Sequence, residues 1–437
     1  MSSILARSIR YNSARMDTQS TLEPWSKFDS IRIGDAAARV KGVVKRTPLA
    51  PFDSSAADDA ARSSATRDSD TAHGTTDALH RRDGGARREL VATRIELRMK
   101  LENRQETGSF KARGAWNQIS QLSDRERRAG VICTSSGNHG KALAWAAERA
   151  GVPATIVMPE NAYANKIQAC RDHGAEVVLG KTRELAEAEC ARRVERGVTL
   201  VHPYDAARTI EGAGTVGLEI AEDWPDVDVV IVPVGGGGLI SGTSLALRRV
   251  LGKRVKIFGA EPRGAPSLTR GIAEGKPVML EKITSKVQGL TPLYSGQINV
   301  DVCTTTLDGI ILVDDEDIFA AQKRLVAAGE VVEPGGSAAA AVVFASLLPK
   351  DLFANLGVKQ RLKVAVVVSG GNPDPAQLES VRAEIAREQG DAKPSGDRFA
   401  SKHDRSDSSH DRSDSSHDRS DSGRDRSDSG RDRSGNP

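Results

Sequence analysis

Four short segments hold residue types and spacings that could do chemistry. In residues 232–242, VPVGGGGLISG, four glycines, Gly235, Gly236, Gly237 and Gly238, follow an apolar run and precede Leu239 and a helical pattern. Glycine permits unusual backbone angles and close approach, so successive N–H groups can converge on an anion at the positive end of the next helix. This describes a phosphate cradle. It is not the dinucleotide fingerprint, and the GK[ST] of a P-loop is absent. In residues 107–115, TGSFKARGA, Lys111 follows Phe110 at an expected helix start. The helix dipole disfavours a cation there, which points to a depressed pKa of the kind imine-forming lysines need. In residues 134–144, TSSGNHGKALA, a strand runs into Ser135, Ser136, Gly137, Asn138 and His139 before a helix. Hydroxyls and free N–H groups at a helix start suit a carboxylate. In residues 366–374, VVVSGGNPD, Ser369 closes a buried strand, where a hydroxyl can hydrogen-bond a ring nitrogen. Each segment has an ordinary alternative: a tight turn, a solvent-facing lysine, an N-cap, a plain loop.

The elements around these segments alternate. VICTSS, ATIVMP, AEVVLG, VDVVIVPVG, VKIFGAE and LKVAVVVSGG are short apolar runs closed by small or turn-forming residues and read as buried strands. Helical patterns cover residues 140–150, 165–173, 183–196, 239–251 and 315–328. Strand and helix in alternation predict an α/β fold with mostly parallel sheets. In such sheets ligands bind at the carboxyl ends of strands, which is where most of the chemical segments fall.

Composition sets the bounds. Apolar residues make up 38% of 437, and the deficit sits in roughly the first 95 residues and the last 50. The middle, about 96–388, can bury a large core. With 62 basic and 59 acidic residues the net charge is +3, which points neither to nucleic acid nor to an anionic membrane. Cys133, Cys170, Cys190 and Cys303 are scattered without metal-ligand spacing, as expected of thiols in a reducing, cytoplasmic setting. No run of 18 apolar residues suggests a membrane span. The start carries Arg7, Arg10 and Arg15 with no acid before Asp17, a composition shared with mitochondrial transit peptides, although a plain N-terminal extension over 1–39 is the preferred reading. Residues 54–88 lack apolar periodicity and read as a disordered insertion in a catalytic domain spanning 40–388. From His403 the unit HDRSDSS recurs every seven residues without an apolar position, so 389–437 reads as a low-complexity, mixed-charge tail. Its Asp residues offset much of its Arg charge, which argues against a nucleic-acid role.

Together the four segments resemble, in order and spacing, the fold-type II pyridoxal-phosphate (PLP) enzymes, and within them the serine/threonine dehydratase branch. The resemblance covers residues 40–52 and 96–387. It implies two parallel-sheet α/β subdomains of the tryptophan synthase β type, the smaller at about 130–215. It implies that Lys111 carries PLP and moves the Cα proton, and that Gly235 to Gly238 and Leu239 hold the phosphate. Phe110 then packs beside the ring, Asn138 bonds its 3′-oxygen and Ser369 meets the ring nitrogen. Ser135, Ser136, Asn138 and His139 bind the substrate carboxylate. The implied reaction converts L-threonine to 2-oxobutanoate and ammonia, or L-serine to pyruvate, in a homodimer or homotetramer. In racemase relatives the serine matching Ser136 faces the second side of Cα, so serine or aspartate racemisation is the alternative, and a non-catalytic PLP-binding protein a more distant one.

Three departures stand out. Lys141 replaces a usual Gln, and Val287-Gln288-Gly289 replaces Ala-Asp-Gly near the substrate. Glu261 matches a carboxylate that binds a divalent cation in some relatives, but Ser267 stands where the next carboxylate is expected. Residues 333–336, EPGG, read as a structural turn. With only low-complexity sequence after Arg387, no feedback inhibition by isoleucine is expected.

Overall fold

The computed structural model describes residues 23–52, 94–354, 356–357 and 360–391. The expected insertion at 54–88 and nearly all of the expected tail lie outside the described residues. The strands are β1 (Leu49–Pro51), β2 (Ile95–Leu101), β3 (Val131–Thr134), β4 (Ala154–Pro159), β5 (Glu176–Gly180), β6 (Thr199–Leu200), β7 (Val229–Pro233), β8 (Lys256–Pro262), β9 (Gly309–Val313) and β10 (Leu362–Val368). The helices are α1 (Ile33–Val40), α2 (Lys111–Ile119), α3 (Asp124–Ala129), α4 (Asn138–Ala150), α5 (Ala164–Arg171), α6 (Arg183–Glu195), α7 (Ala207–Asp223), α8 (Gly238–Leu251), α9 (Ser267–Glu274), α10 (Gln297–Thr306), α11 (Asp315–Ala327), α12 (Pro334–Phe344) and α13 (Pro375–Asp391).

Two sheets result. The larger has the order β1-β2-β10-β7-β8-β9, with only β1 antiparallel. The smaller, β5-β4-β3-β6, is parallel throughout. Parallel sheets are covered on both faces by their crossover helices, so their strands read as continuous apolar runs. Every residue of β7 is buried, and so is every residue of β10 except Lys363. One face of the large sheet packs under α11 and α12, and the other under α7, α8 and α10. A separate core joins the small sheet to α2 and α4.

All six strands read from the sequence are present, and the five helical patterns fall on α4, α5, α6, α8 and α11. The N-terminal residues 23–39, set apart above as an extension, are packed: Trp25, Ile31 and Ile33 are buried against Ile210, Leu245 and Val302. α13 runs through Asp391, a few residues past the expected domain end.

Candidate active site

Three strand ends and one helix start converge. The backbone N–H of Phe110 donates to the Ser369 carbonyl at 3.1 Å, and Ser109 and Gly370 form an antiparallel bridge. These contacts seat the start of α2 against the carboxyl end of β10. The loop after β3 opens α4, and the loop after β7 opens α8. A cavity of about 360 Å³ lies between them, lined among others by Phe110, Lys111, Ser135, Ser136, Gly235 and Ser369.

Lys111 is the first residue of α2. Its ammonium donates to the Pro203 carbonyl at 2.7 Å and lies 4.9 Å from the centroid of the Phe110 ring. No carboxylate is paired with it among the described residues. Burial therefore pulls its pKa down to about 8, with only a small opposing effect from Cys133.

The glycine loop is shaped by what surrounds it. Gly237 has φ of +96°, which favours glycine. A Cβ on Gly236 would lie 2.3 Å from the ring of Tyr204. Buried Asn299 donates to the Gly236 carbonyl at 2.8 Å and the Tyr204 carbonyl at 3.1 Å, which fixes the loop from below. Gly238 and Leu239 begin α8, so their N–H groups sit at its positive end. Tyr204 and Asn299 were not legible as site residues, yet Tyr204 follows β6 in the sequence VHPYD, and the strand-end rule applied to that run would have found it.

Around α4 the hydroxyl of Ser135 accepts from the N–H groups of Gly137 and Gly140 at 3.3 and 3.2 Å. Ser136 is exposed on the cavity wall. His139 is buried, and its Nε2 lies 2.8 Å from the Val201 carbonyl. A carbonyl only accepts, so Nε2 carries the proton. Burial and nearby Lys111 push the pKa of His139 down to about 3, and the ring stays neutral. The imidazole is thus spent on the residue that follows β6, and what His139 offers a carboxylate is its backbone N–H. Ser369 is buried, and its hydroxyl has a single long contact, 3.5 Å to the Gly335 carbonyl, which leaves it free to meet a ring nitrogen.

Two sequence expectations meet a different arrangement, and Glu261 has protein partners of its own. Glu333, read as part of a structural turn, lines the cavity and accepts from Asn138 Nδ2. Burial raises its pKa, although Lys166, Asn138 and Lys141 oppose the rise. Val287 turns into the core and exposed Gln288 reaches Tyr163 at 3.3 Å, so this segment meets the cavity through residues 289–292 instead. Glu261 is fully buried and accepts from the Leu268 and Thr269 N–H groups at 2.7 and 3.0 Å and from the Thr269 hydroxyl at 2.6 Å. It binds the start of α9, and no group of three or more metal-ligating side chains occurs among the described residues.

The residues present fit PLP. A cradle that side chains would fill suits its phosphate, an uncompensated amine suits its aldehyde, and an open hydroxyl suits its ring nitrogen. Comparison with known proteins agrees. The family model described as "Pyridoxal-phosphate dependent enzyme" matches residues 87–370. L-threonine ammonia-lyase of Thermotoga maritima is 40% identical over 288 residues, 65% of this chain and 69% of its own length. Serine racemase of Oryza sativa subsp. japonica is 38% identical over 281 residues, 64% of this chain and 81% of its own. The solved structure of maize serine racemase superposes with a TM-score of 0.65 at 31% identity, covering 82% of this chain and 98% of that one. With the family model spanning well over half its length, this chain belongs to the pyridoxal-phosphate dependent enzymes.

Proposed function

We propose that the enzyme removes water and ammonia from a small hydroxy-amino acid, L-threonine giving 2-oxobutanoate and L-serine giving pyruvate. One observation carries the reading: Lys111, the serines of the α4 loop, the glycine cradle and Ser369 all line a single cavity of small-molecule size. The similarity to a threonine ammonia-lyase supports the substrate.

When bound, PLP supplies an electron sink for negative charge developing at the substrate Cα. Lys111, whose pKa of about 8 gives it a large neutral fraction near that pH, takes the Cα proton as general base. Ser135 and Ser136, with the N–H groups at the start of α4, hold the substrate carboxylate. Ser369 offers the ring nitrogen a neutral hydroxyl, which favours prompt loss of the β-hydroxyl over long storage of charge, and the proton that Lys111 took from Cα leaves with it as water. The released enamine tautomerises, its β-carbon gaining a proton as its nitrogen loses one, and the imine is hydrolysed to the 2-oxo acid and ammonia. Phe110 packs against the lysine arm and narrows its motion.

The test is direct. The purified protein should absorb at about 410 nm, as a lysine-linked PLP does, and should form 2-oxobutanoate from L-threonine. Lys111→Ala should lose both. A second reading, racemisation, is favoured by Ser136, whose side chain is exposed on the same cavity as Lys111. Chiral analysis of unreacted serine decides it: D-serine without 2-oxo acid would replace the dehydratase reading. All four cysteines are free thiols, which supports a reducing compartment such as the cytoplasm. Among the described residues no helix is long and apolar enough to cross a membrane.

A further inference from the structure

Asn138 sits between two cavities. One is the site above. The other, about 420 Å³, is lined by Lys141, Lys166, Asn372 and Arg382 among others, and shares Gly137 and Asn138 with the first. A line of side chains joins them. Lys141 Nζ donates to Asn372 Oδ1 at 3.1 Å. Asn372 Nδ2 donates to the Thr107 carbonyl and to Asn138 Oδ1, each at 2.8 Å. Asn138 Nδ2 donates to Glu333.

The direction of this line is set at its ends. An amide can face either way, and only its partners decide which. An ammonium has donors and no acceptor, and a backbone carbonyl accepts only. Between Lys141 and Thr107, Asn372 therefore has one orientation, with Oδ1 toward the lysine. That orientation turns an N–H toward Asn138 and obliges Asn138 to answer with its oxygen. The Nδ2 group of Asn138 is left facing the catalytic cavity. A glutamine at position 141 carries both a donor and an acceptor, so there the Thr107 carbonyl alone would set the direction.

From this geometry we infer that Lys141, acting through Asn372, is a positioning residue that fixes the polarity of Asn138 so that it presents an N–H donor to the cofactor ring oxygen. The inference rests on the reading of Asn138 as a cofactor ligand. Asn372 also stitches the Lys111 loop to this line, since a Cβ on Gly108 would lie 2.6 Å from Asn372 Oδ1. The relay thus joins the two segments that must meet one ring.

Binding of PLP to the apoprotein, followed by absorbance and by quenching of protein fluorescence, tests this without turnover. Asn372→Asp has no donor, so Asn138 loses the partner that holds its oxygen away from the cavity and keeps only Glu333 to orient it. Lys141 can still pair with the new carboxylate and keep the fold. We expect PLP affinity to fall about tenfold and the absorption maximum of the lysine-linked cofactor to shift. Lys141→Met should lose about threefold, and Lys141→Gln, which can still donate, should recover most of that loss. Asn138→Ala is the control. If it weakens PLP binding while Asn372→Asp and Lys141→Met match the wild type in affinity and spectrum, the relay is overturned and Asn138 remains a ligand. If Asn138→Ala binds PLP as tightly as the wild type, the ligand reading fails and the relay with it.

Discussion

Lys100 and Lys111 are near neighbours in sequence and enclosed by protein, yet they live in opposite surroundings. Lys100, on β2, is fully buried and donates to Glu219 at 2.6 Å and to the Thr47 carbonyl. Burial lowers its pKa, and Glu219 and Glu102 pull it back up. Beside it Arg113 bonds Glu102 at 2.7 and 2.8 Å and Glu219 at 2.7 and 2.8 Å. Lys111, at the cavity, has a carbonyl and a ring face but no carboxylate. The first region compensates every charge it buries, and the second leaves one open. Burial is common to both, so the missing counter-charge is what distinguishes Lys111, the amine we propose as reactive.

The sharpest way to break that contrast is at Lys111. Lys111→Ala should lower turnover by at least 10²–10⁴-fold, the range for removing a general base, while circular dichroism stays native. The pH dependence sharpens the point. In the proposed role the neutral amine captures PLP, and burial has moved its pKa to about 8. The rate of PLP uptake by the apoprotein should therefore rise with pH and level off above about 8. A rate still climbing near about pH 10, the ordinary lysine range, would mean that Lys111 has a hidden counter-charge and that the two lysines are alike.

Next in size is the compensated region. Arg113→Met should destabilise the protein by about 3–5 kcal/mol in urea unfolding, because Glu102 and Glu219 lose their partner inside the core. Turnover per folded molecule should fall far less than in Lys111→Ala. If the two variants lose turnover equally with little change in stability, the network belongs to the chemistry and not to the fold.

Gly236→Ala asks whether the open region depends on shape as well as charge. Its Cβ would meet the Tyr204 ring at 2.3 Å. Overpacking of this kind costs about 1–3 kcal/mol, which should appear as about tenfold or greater loss of PLP affinity. Adding Tyr204→Ala should recover part of it. Unchanged affinity in the single variant would show that the ring, and not the loop, gives way.

The same contrast explains what the sequence made legible. Strand ends, the glycine run and the lysine at a helix start are local patterns, set by a few consecutive residues, and they placed the fold and the cavity walls. The partners of those residues are not local. Asn138 meets Glu333 across 195 positions, and Asn372 meets Asn138 across 234. EPGG looks like a turn because its local chemistry is that of a turn, and α12 indeed starts there, but only the tertiary fold aims the Glu333 carboxylate into the site. His139 looked available because an exposed helix start is its usual context. The carbonyl of Val201, which takes its ring, comes from another strand end. Ile95–Leu101 alternates apolar and charged residues without a break, the pattern of a half-buried strand; it is absent from the expected strands because those are the continuous apolar runs, and its burial comes from pairing with β10.

Glu261 offers the most diagnostic effect, because it is the acidic counterpart of Lys111: buried and without a counter-ion among the described residues. Burial pushes its pKa up to about 7, although Thr269 and the N–H groups of Leu268 and Thr269 oppose the rise. A carboxyl whose folded pKa lies above its unfolded value stabilises the protein fully below the unfolded value, and that contribution is lost as pH rises through the folded one. The wild type should therefore lose stability between about pH 4.5 and 7 relative to Glu261→Gln, by up to about 3 kcal/mol. At low pH the two should differ by about one hydrogen bond, roughly 1 kcal/mol. Thermal unfolding of both proteins across that window, with and without magnesium, makes the measurement. If magnesium raises the wild-type Tm and leaves Glu261→Gln unmoved, a cation occupies this carboxylate, its pKa lies low instead of high, and Glu261 joins Glu219 and Glu102 among the compensated charges.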